Sequence, residues 1–308
     1  MRIVIMGSGG IGGYFGAKLA RAGHDVVFVA RGEHLRAIRE NGLRVSSEVD
    51  GDWTVDAPAV ATLDGQPPAD LVLFCVKSFD TEDAAELVRP VLGPGTGVLS
   101  LQNGVDNEDK LARILGAGRA VGGIAYAFVH IAAPGVIAHQ QLARIVCGEF
   151  GGTAPGRLPA FAEAGAAAGI RVDVVPDIRR SLWEKYVFLT AFAGATALTR
   201  MPAQAVREVP ELRRLWQRQI DELLALARAE AAGLDEGVAE RCAAFLGSVA
   251  PISYTSLYHD LMQGRRLELE TLHGHAVRLG ERHAIPTPTL SAVYAGLLPY
   301  RDGPPKVT

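Results

Sequence analysis

The chain has 308 residues, which is long enough for two domains with separate cores. Apolar residues make up 48% of it and charged residues 21%, as is ordinary for a soluble globular protein. A net charge of −3 at pH 7 leaves no excess of basic side chains, which argues against binding to nucleic acid or to an anionic membrane as the main function.

The first predicted element is a strand that runs into a glycine-rich turn. An apolar run at 2–6 is followed by Gly7, Gly9 and Gly12, in the spacing G-x-G-x-x-G. A helical pattern and a second apolar run at 25–30 come next, so strand, turn, helix and strand follow in the order of a dinucleotide-binding βαβ unit. A glycine-rich turn without a ligand explains this order less well. We therefore predict cofactor contacts from Gly7, Ser8, Gly9, Gly10, Ile11 and Gly12.

Targeting and membrane segments are not predicted. The first apolar run ends in glycines after only four residues, which is typical of a strand rather than a secretion signal. The longest later apolar stretch, 186–198, contains two threonines and a glycine and is too short for a membrane span. Cys75, Cys147 and Cys242 are odd in number and far apart, which favours buried thiols in a reducing compartment. We expect a cytoplasmic protein.

Alternating strands and helices continue to about residue 150. Further strands are predicted at 43–46, 70–76 and 97–102, with helices at 33–41, 81–91 and 106–115. This alternation is typical of a parallel sheet with helices on both faces. The strands predicted at 120–129, 136–139 and 144–147 have no long helices between them, so we expect an antiparallel extension of the sheet.

After a strand at 171–175 the pattern becomes helical. Helices are predicted at 179–200, 203–208, 211–232, 235–249, 254–282 and 288–298. The predicted fold class is α/β: a Rossmann-type, doubly wound and mostly parallel sheet, followed by an all-helical C-terminal domain. We expect a dinucleotide-binding domain at 1–172 and a helical substrate domain at 173–308.

The residues that follow the second strand bear on the choice of cofactor. An acidic residue at this position would bind the ribose 2′-hydroxyl of NAD, but the chain reads Val-Ala-Arg-Gly at 29–32. The planar guanidinium of Arg31 suits a 2′-phosphate, which favours NADP(H) over the alternative of an ordinary surface arginine. Lys77 follows another strand and is either a second phosphate contact or a plain lysine after a strand.

Several motifs taken together resemble the ketopantoate reductase family, NADPH-dependent 2-dehydropantoate 2-reductases. The resemblance extends through essentially the whole chain, up to the segment 256–268. Its most specific parts are GSGGIGGYFG at 7–16, AGHD at 22–25, ARG at 30–32, LQNG at 101–104 and WEK at 183–185. It implies hydride transfer from NADPH to the C2 carbonyl of a 2-oxo acid, giving a 2-hydroxy acid.

The resemblance implies that Lys185 is the general acid of this reaction. The pattern alone is equally compatible with a surface salt bridge one helical turn away, since lysines are commonly solvated. The resemblance also implies that Asn103 binds the cofactor ribose and the lysine, as well as substrate. On its own the pair Asn103-Gly104 indicates a turn.

Two further site residues follow from the resemblance. Ser256 is implied in binding the substrate carboxylate, and its alternative is a helix N-cap. Glu268 is implied in catalysis, where it positions a substrate hydroxyl or a water near the lysine. Its alternative is an ion pair with Arg265, three residues earlier. Asp260 also fits the family pattern, and we expect a structural role for it.

One departure from the family concerns the substrate. The positions four and eight residues after Lys185 share its helix face and carry substrate-binding asparagines in the pantothenate-pathway enzymes, but here they are Leu189 and Ala193. The expected function is therefore reduction of 2-dehydropantoate to pantoate. One alternative is reduction of another branched or aromatic 2-oxo acid. The other is a non-catalytic NADP(H)-binding sensor or scaffold, which the retention of Lys185, Ser256 and Glu268 argues against.

The remaining patterns say little about partners. The histidines, including His273 and His275, form no metal-binding motif, so no metal is predicted. Apolar surface on the helical domain is compatible with a homodimer and equally with a packed interior, so the oligomeric state stays open. The expected partner is a small-molecule substrate.

Overall fold

The computed structural model describes residues 1–151 and 156–305. The chain forms two compact units, the first from residues 1–102 and 106–178 and the second from residues 103–105 and 179 onward. The predicted boundary at 172/173 falls inside the strand Arg171–Val174, which pairs with the sheet of the first unit.

In the described part of the first unit, ten strands form one sheet, with the order β4-β3-β9-β8-β7-β6-β1-β2-β5 and with β10 beside β9. Neighbouring strands are parallel except in the pairs β3–β4 and β8–β9. The strands are β1 Arg2–Met6, β2 Asp25–Val29, β3 Leu43–Ser47, β4 Gly51–Val55, β5 Ala59–Val60, β6 Ala69–Phe74, β7 Leu92–Ser100, β8 Ala120–Ala133, β9 Val136–Glu149 and β10 Arg171–Val174.

Helices cover both faces of this sheet because alternate residues of each strand point to opposite sides. In β1, Ile3 and Ile5 enter one apolar cluster with side chains of α1, whereas Val4 and Met6 enter a second cluster with side chains of α3 and α4. The helices are α1 Gly10–Arg21, α2 Gly32–Asn41, α3 Thr81–Leu87, α4 Asn107–Leu115 and α5 Arg157–Ala167. The doubly wound, mostly parallel sheet predicted from the sequence is confirmed.

Three details of the sheet differ from the sequence predictions. The short strands β4 and β5 were not predicted. The segments 136–139 and 144–147, expected as two strands, belong to the single strand β9. Its polar centre continues the antiparallel ladder with β8 through register shifts, which periodicity does not reveal.

The second unit is helical, as predicted. Its helices are α6 Ile178–Thr199, which starts at the last residue of the first unit, α7 Ala203–Glu208, α8 Pro210–Ala229, α9 Val238–Ser248, α10 Ser256–Met262, α11 His275–His283 and α12 Pro288–Leu297. The single helix expected at 254–282 is wrong. It ends at Met262, Gly264 has a φ of +63°, and a π-helical turn at Glu270–Gly274 leads into α11. None of the helices in the described ranges is both long and apolar enough to cross a membrane.

Candidate active site

The glycine turn after β1 is shaped by three different constraints. Gly7 has a φ of +96°, which other residues rarely adopt. A Cβ on Gly12 would lie 2.2 Å from the Gly7 carbonyl oxygen, so only glycine permits this approach of helix to turn. A Cβ on Gly9 would meet no atom within 4 Å. Gly9 therefore borders open space, as expected where a pyrophosphate approaches the backbone.

Backbone donors surround this open space. Helix α1 begins at Gly10, and its first internal bond runs from the Gly13 amide to the Gly9 carbonyl at 2.7 Å. The amides of residues 10–12 precede that bond and have no acceptor within the helix. Ser8 supports the turn from behind, because its buried hydroxyl and its amide both donate to the Val29 carbonyl. The turn thus has the geometry that binds phosphate at a helix N-terminus.

The predicted phosphate-binding side chains follow strands that flank β1. Since β1 lies between β2 and β6, the carboxyl ends of these three parallel strands are neighbours. Arg31 follows β2, and its side chain is 88% exposed while it donates to Asp80 at 2.8 Å. Lys77 is half-buried in the segment after β6. An exposed guanidinium beside the glycine turn has room for an incoming phosphate.

Sequence reasoning missed Gln102, which fixes the edge of the sheet next to this turn. Its buried side-chain amide donates to the Val76 carbonyl at 3.0 Å and to the Thr81 hydroxyl at 2.8 Å. The segment after β6 and the start of α3 are thereby held in place. The sequence signal was a polar residue two positions after the end of a buried strand.

In the second unit the structure brings two predicted residues together. The Lys185 ammonium donates to the Asn103 side-chain oxygen at 3.0 Å. Lys185 is half-buried on α6, whose position is held by the Tyr186 hydroxyl bound to the Leu272 carbonyl at 2.6 Å. Gly104 has a φ of +115°. Asn103 is thus both the turn residue that its sequence suggests and a partner of the lysine.

The face of α6 that carries Lys185 is apolar for two turns and then reaches the start of α10. Leu189 is half-buried and Ala193 is fully buried. Farther along, the hydroxyl of Thr196 lies 3.3 Å from that of Thr255, which caps α10 by accepting from the Tyr258 amide. The N-cap alternative for Ser256 is therefore wrong. Thr255 takes that role, and Ser256 is the exposed first residue of α10.

Glu268 lies between α10 and the π-helical turn. Its side chain is buried, with 7% exposure of the residue, and its carbonyl accepts from the Leu272 amide. Arg265, the suggested ion-pair partner, lies 3.8 Å from the Asp260 carboxylate and donates its amide to the Asp260 carbonyl. Asp260 is buried and holds this turn, in agreement with the expected structural role.

An aromatic group lies beside the Lys185 face. Phe188 and Phe192, three and seven residues after the lysine, have ring centroids 5.6 Å apart. Phe245 of α9 packs edge-on against Phe188 at 4.5 Å and is 47% exposed. Together with Leu189 and Ala193, these rings form an apolar stretch along α6 after the lysine.

The three cysteines carry free thiols, and none of them fits a catalytic role. Cys147 and Cys242 are buried, and burial raises the pKa of each thiol to about 12. Burial likewise raises the pKa of Cys75 well above its usual value. A thiol in this state is a poor nucleophile at neutral pH.

Comparison with known families gives matches to both parts of the chain. Residues 3–152 match the family profile described as "Ketopantoate reductase PanE/ApbA", and residues 177–300 match the profile of the C-terminal part of the same family. A 2-dehydropantoate 2-reductase from Halobacterium salinarum is 34% identical over 98% of this chain and all of that protein. The corresponding enzyme of Mesorhizobium japonicum is 33% identical over 96% of each chain.

Solved structures of the ketopantoate reductase family are also similar to this chain. A PanE/ApbA family ketopantoate reductase from Ralstonia eutropha has a TM-score of 0.90 at 34% identity, with 98% of each chain covered. A D-mandelate dehydrogenase in complex with NADH and anilino(oxo)acetate has a TM-score of 0.89 at 19% identity, again over 98% of each chain. The second likeness is one of fold.

Proposed function

This chain belongs to the ketopantoate reductase family of pyridine nucleotide-dependent oxidoreductases, and on that premise we propose that it reduces 2-dehydropantoate to pantoate with NADPH, as a step of pantothenate biosynthesis. The observation that carries the proposal is the 3.0 Å contact between the Lys185 ammonium and the Asn103 amide oxygen. A binding-only sensor would not need this pair, and the relatives of the chain are enzymes.

The residues around the glycine turn fit a dinucleotide. The open space in front of Gly9 and the amides of residues 10–12 suit the pyrophosphate. Arg31, with Lys77 on the far side of the turn, would hold the 2′-phosphate that distinguishes NADPH from NADH. When bound, the nicotinamide supplies the hydride that reduces the substrate carbonyl.

Lys185 has the chemistry to protonate that carbonyl. As the C2 carbon receives the hydride, its oxygen gains negative charge and takes a proton from the ammonium, which is left as a neutral amine and is reprotonated from solvent. An ammonium has three N–H donors, so holding Asn103 and protonating the oxygen are compatible.

Ser256 and Glu268 complete the proposed site. The exposed hydroxyl of Ser256 would donate to the substrate carboxylate and so fix the direction of the carbonyl. Glu268, buried before the π-helical turn, would bind the substrate hydroxyl or a water near the lysine. Both roles follow from the family pattern and are tested by the kinetics of variants.

A second candidate substrate class is favoured by the apolar face of α6. Leu189 and Ala193 replace two amide donors, and the rings of Phe188, Phe192 and Phe245 lie beside them. A site without these donors loses discrimination in favour of a hydroxylated substrate, and an apolar wall favours a branched or aromatic side chain. The second candidate is therefore reduction of such a 2-oxo acid.

One assay separates these candidates. NADPH oxidation is followed at 340 nm with 2-dehydropantoate and with a panel of branched and aromatic 2-oxo acids, and kcat/KM is compared. The highest value with 2-dehydropantoate supports the first candidate, whereas a higher value with an aromatic or branched acid transfers the assignment to the second. If NADPH binds but none of these acids oxidises it, both candidate reactions are excluded.

A double variant sharpens the substrate assignment. Leu189→Asn with Ala193→Asn restores the two amides of the pantothenate-pathway enzymes. We expect it to raise kcat/KM for 2-dehydropantoate relative to an aromatic 2-oxo acid by about tenfold or more, since a hydrogen-bonded substrate hydroxyl is strongly discriminated. An unchanged ratio would show that this face of α6 does not contact the substrate side chain.

A further inference from the structure

His34 connects the glycine turn to two other parts of the first unit. One ring nitrogen, Nε2, lies 2.7 Å from the Ser8 carbonyl oxygen in the turn. The other, Nδ1, accepts the backbone N–H of Gly135 at 3.0 Å, in the turn between β8 and β9. The histidine itself lies in the first turn of α2, three residues after Arg31.

These two bonds define the protonation state of the ring. A backbone N–H can only donate, so Nδ1 must be unprotonated to accept it. In a neutral imidazole the proton is then on Nε2, which donates to the Ser8 carbonyl. A protonated ring would direct an N–H of its own at the Gly135 N–H and lose that bond. The bridge therefore requires the neutral Nε2–H tautomer.

The bridge also restricts the glycine turn. The Ser8 amide and hydroxyl both donate to the Val29 carbonyl, and His34 donates to the Ser8 carbonyl oxygen, so all three polar groups of Ser8 are hydrogen-bonded. Because the Ser8 carbonyl belongs to the peptide between Ser8 and Gly9, the bond from His34 fixes the orientation of that peptide. The amides of residues 10–12 then point at the pyrophosphate position before any ligand arrives, and such preorganisation lowers the cost of binding.

We propose that His34 is a positioning residue for the dinucleotide, which as a neutral bridge between Ser8 and Gly135 holds the glycine turn in its binding geometry. The role rests on the proposed cofactor site, and it is one of support, without contact to the substrate.

Other charges near His34 do not replace this bridge. Burial lowers the pKa of His34 below its usual value, and the Ser8 carbonyl opposes that shift. The glycine turn and residues 131–135 of the facing turn carry no titratable side chain. The elements that adjoin His34 carry further titratable or charged side chains. These are Arg31 just before α2, Glu33, Arg36, Arg39 and Glu40 of α2, Arg44 of β3, Tyr14, Lys18 and Arg21 of α1, and Tyr126, His130, His139, Arg144, Cys147 and Glu149 of the β8–β9 pair.

The test compares the wild type with His34→Gln. Glutamine carries one acceptor and one donor at a similar spacing, and neither titrates in this range. NADP⁺, which is stable in acid, is titrated calorimetrically into each protein from about pH 7.5 to about pH 5. Titration of the ligand phosphate and of the other side chains occurs in both proteins and cancels in the ratio of the two Kd values.

We expect similar Kd values near pH 7.5 and a wild-type Kd that rises roughly threefold or more over that of His34→Gln as the pH falls. His34→Phe, which keeps an aromatic ring but removes both hydrogen bonds, should raise Kd about tenfold at every pH. A ratio that stays constant with pH, or a wild type that binds better in acid as a cation would, overturns the proposal.

A second measurement does not depend on any variant. Two-bond ¹H–¹⁵N spectra of the histidines report the tautomer of each ring directly. We expect His34 as the Nε2–H form with a pKa below the usual value of about 6.5. An Nδ1–H tautomer would overturn the role. Absence of NADP⁺ binding at any pH would instead overturn the cofactor site on which the role rests.

Discussion

The glycine turn of the first unit presents backbone to its ligand, whereas the Lys185 face of α6 in the second unit presents side chains. The turn is built from six consecutive residues, and its key property is the absence of a Cβ at Gly9 and Gly12. The proposed chemistry of the second unit uses residues 103, 185, 256 and 268, which lie on four separate segments. A site made of backbone leaves a local signature, and a site made of distant side chains does not.

The same difference predicts how each region tolerates change. A side chain at Gly12 would collide with the Gly7 carbonyl, so the turn has little freedom to vary. Leu189 and Ala193 lie within the long helix α6, whose backbone hydrogen bonds do not involve these two side chains. Substrate preference can therefore change along α6 while cofactor binding is retained.

The largest expected effect is in the second unit. Lys185→Met removes the proposed proton donor but keeps the length of the side chain, and we expect kcat to fall by about 10² to 10⁴ with little change in NADPH affinity. Steady-state rates and calorimetric titration measure the two quantities. Lys110→Met, at a surface ion pair with Asp106, is the matched control and should leave kcat unchanged. A Lys185 variant as active as this control would contradict the acid role.

A pair of glycine variants separates shape from ligand contact in the first unit. Gly12→Ala forces a Cβ against backbone and should lower the free energy of unfolding by about 1–3 kcal/mol. Gly9→Ala meets open space, so stability should be unchanged while the Kd for NADPH rises about tenfold or more, because hydrogen bonds to the charged pyrophosphate are lost. Thermal melting and calorimetry measure both. Equal affinity in Gly9→Ala and wild type would place the pyrophosphate elsewhere.

Glu108 provides a prediction about pH that concerns the first unit. Its side chain is fully buried at the start of α4, and burial raises its pKa to about 8. The folded protein then binds this proton more tightly than the unfolded chain, so stability falls as the pH rises from about 4.5 to about 8, by on the order of 4–5 kcal/mol. Glu108→Gln, a neutral isostere, should flatten this slope in urea unfolding experiments. If the dependence of unfolding free energy on pH is unchanged in Glu108→Gln, other titratable groups cause it.

The smallest expected effect concerns cofactor choice. Arg31 is mostly exposed, and its pair with Asp80 contributes little to stability. Arg31→Ala should raise the KM for NADPH about tenfold, while the KM for NADH and the melting temperature stay nearly constant. Arg36→Ala, on the helix α2 that follows Arg31, is the control. If the variant raises the KM for NADPH and the KM for NADH equally, Arg31 does not bind the 2′-phosphate.

Local patterns predicted much of the fold. The observed bounds agree to within about one residue with the predicted ones for β1, β2, β3, α2 and α7. The spacing of apolar residues and the glycines that end these elements depend only on near neighbours in the sequence. Strands β4 and β5 were missed, since Gly51–Val55 is short and polar and is held by pairing with β3. The π-helical turn at Glu270–Gly274 interrupts a segment whose sequence is typical of a continuous helix.

The glycine turn, the doubly wound sheet and the helical second half could all be predicted from local sequence, because turn geometry and the spacing of buried residues depend on consecutive residues. The folded chain adds the 3.0 Å distance of the Lys185–Asn103 contact that the family resemblance implied, and it alone reveals that Thr255 rather than Ser256 caps α10 and that His34 joins Ser8 to Gly135. Each of these contacts joins separate segments or depends on which of two adjacent hydroxyls faces an amide. Their energies come from packing at long range, which no local pattern records.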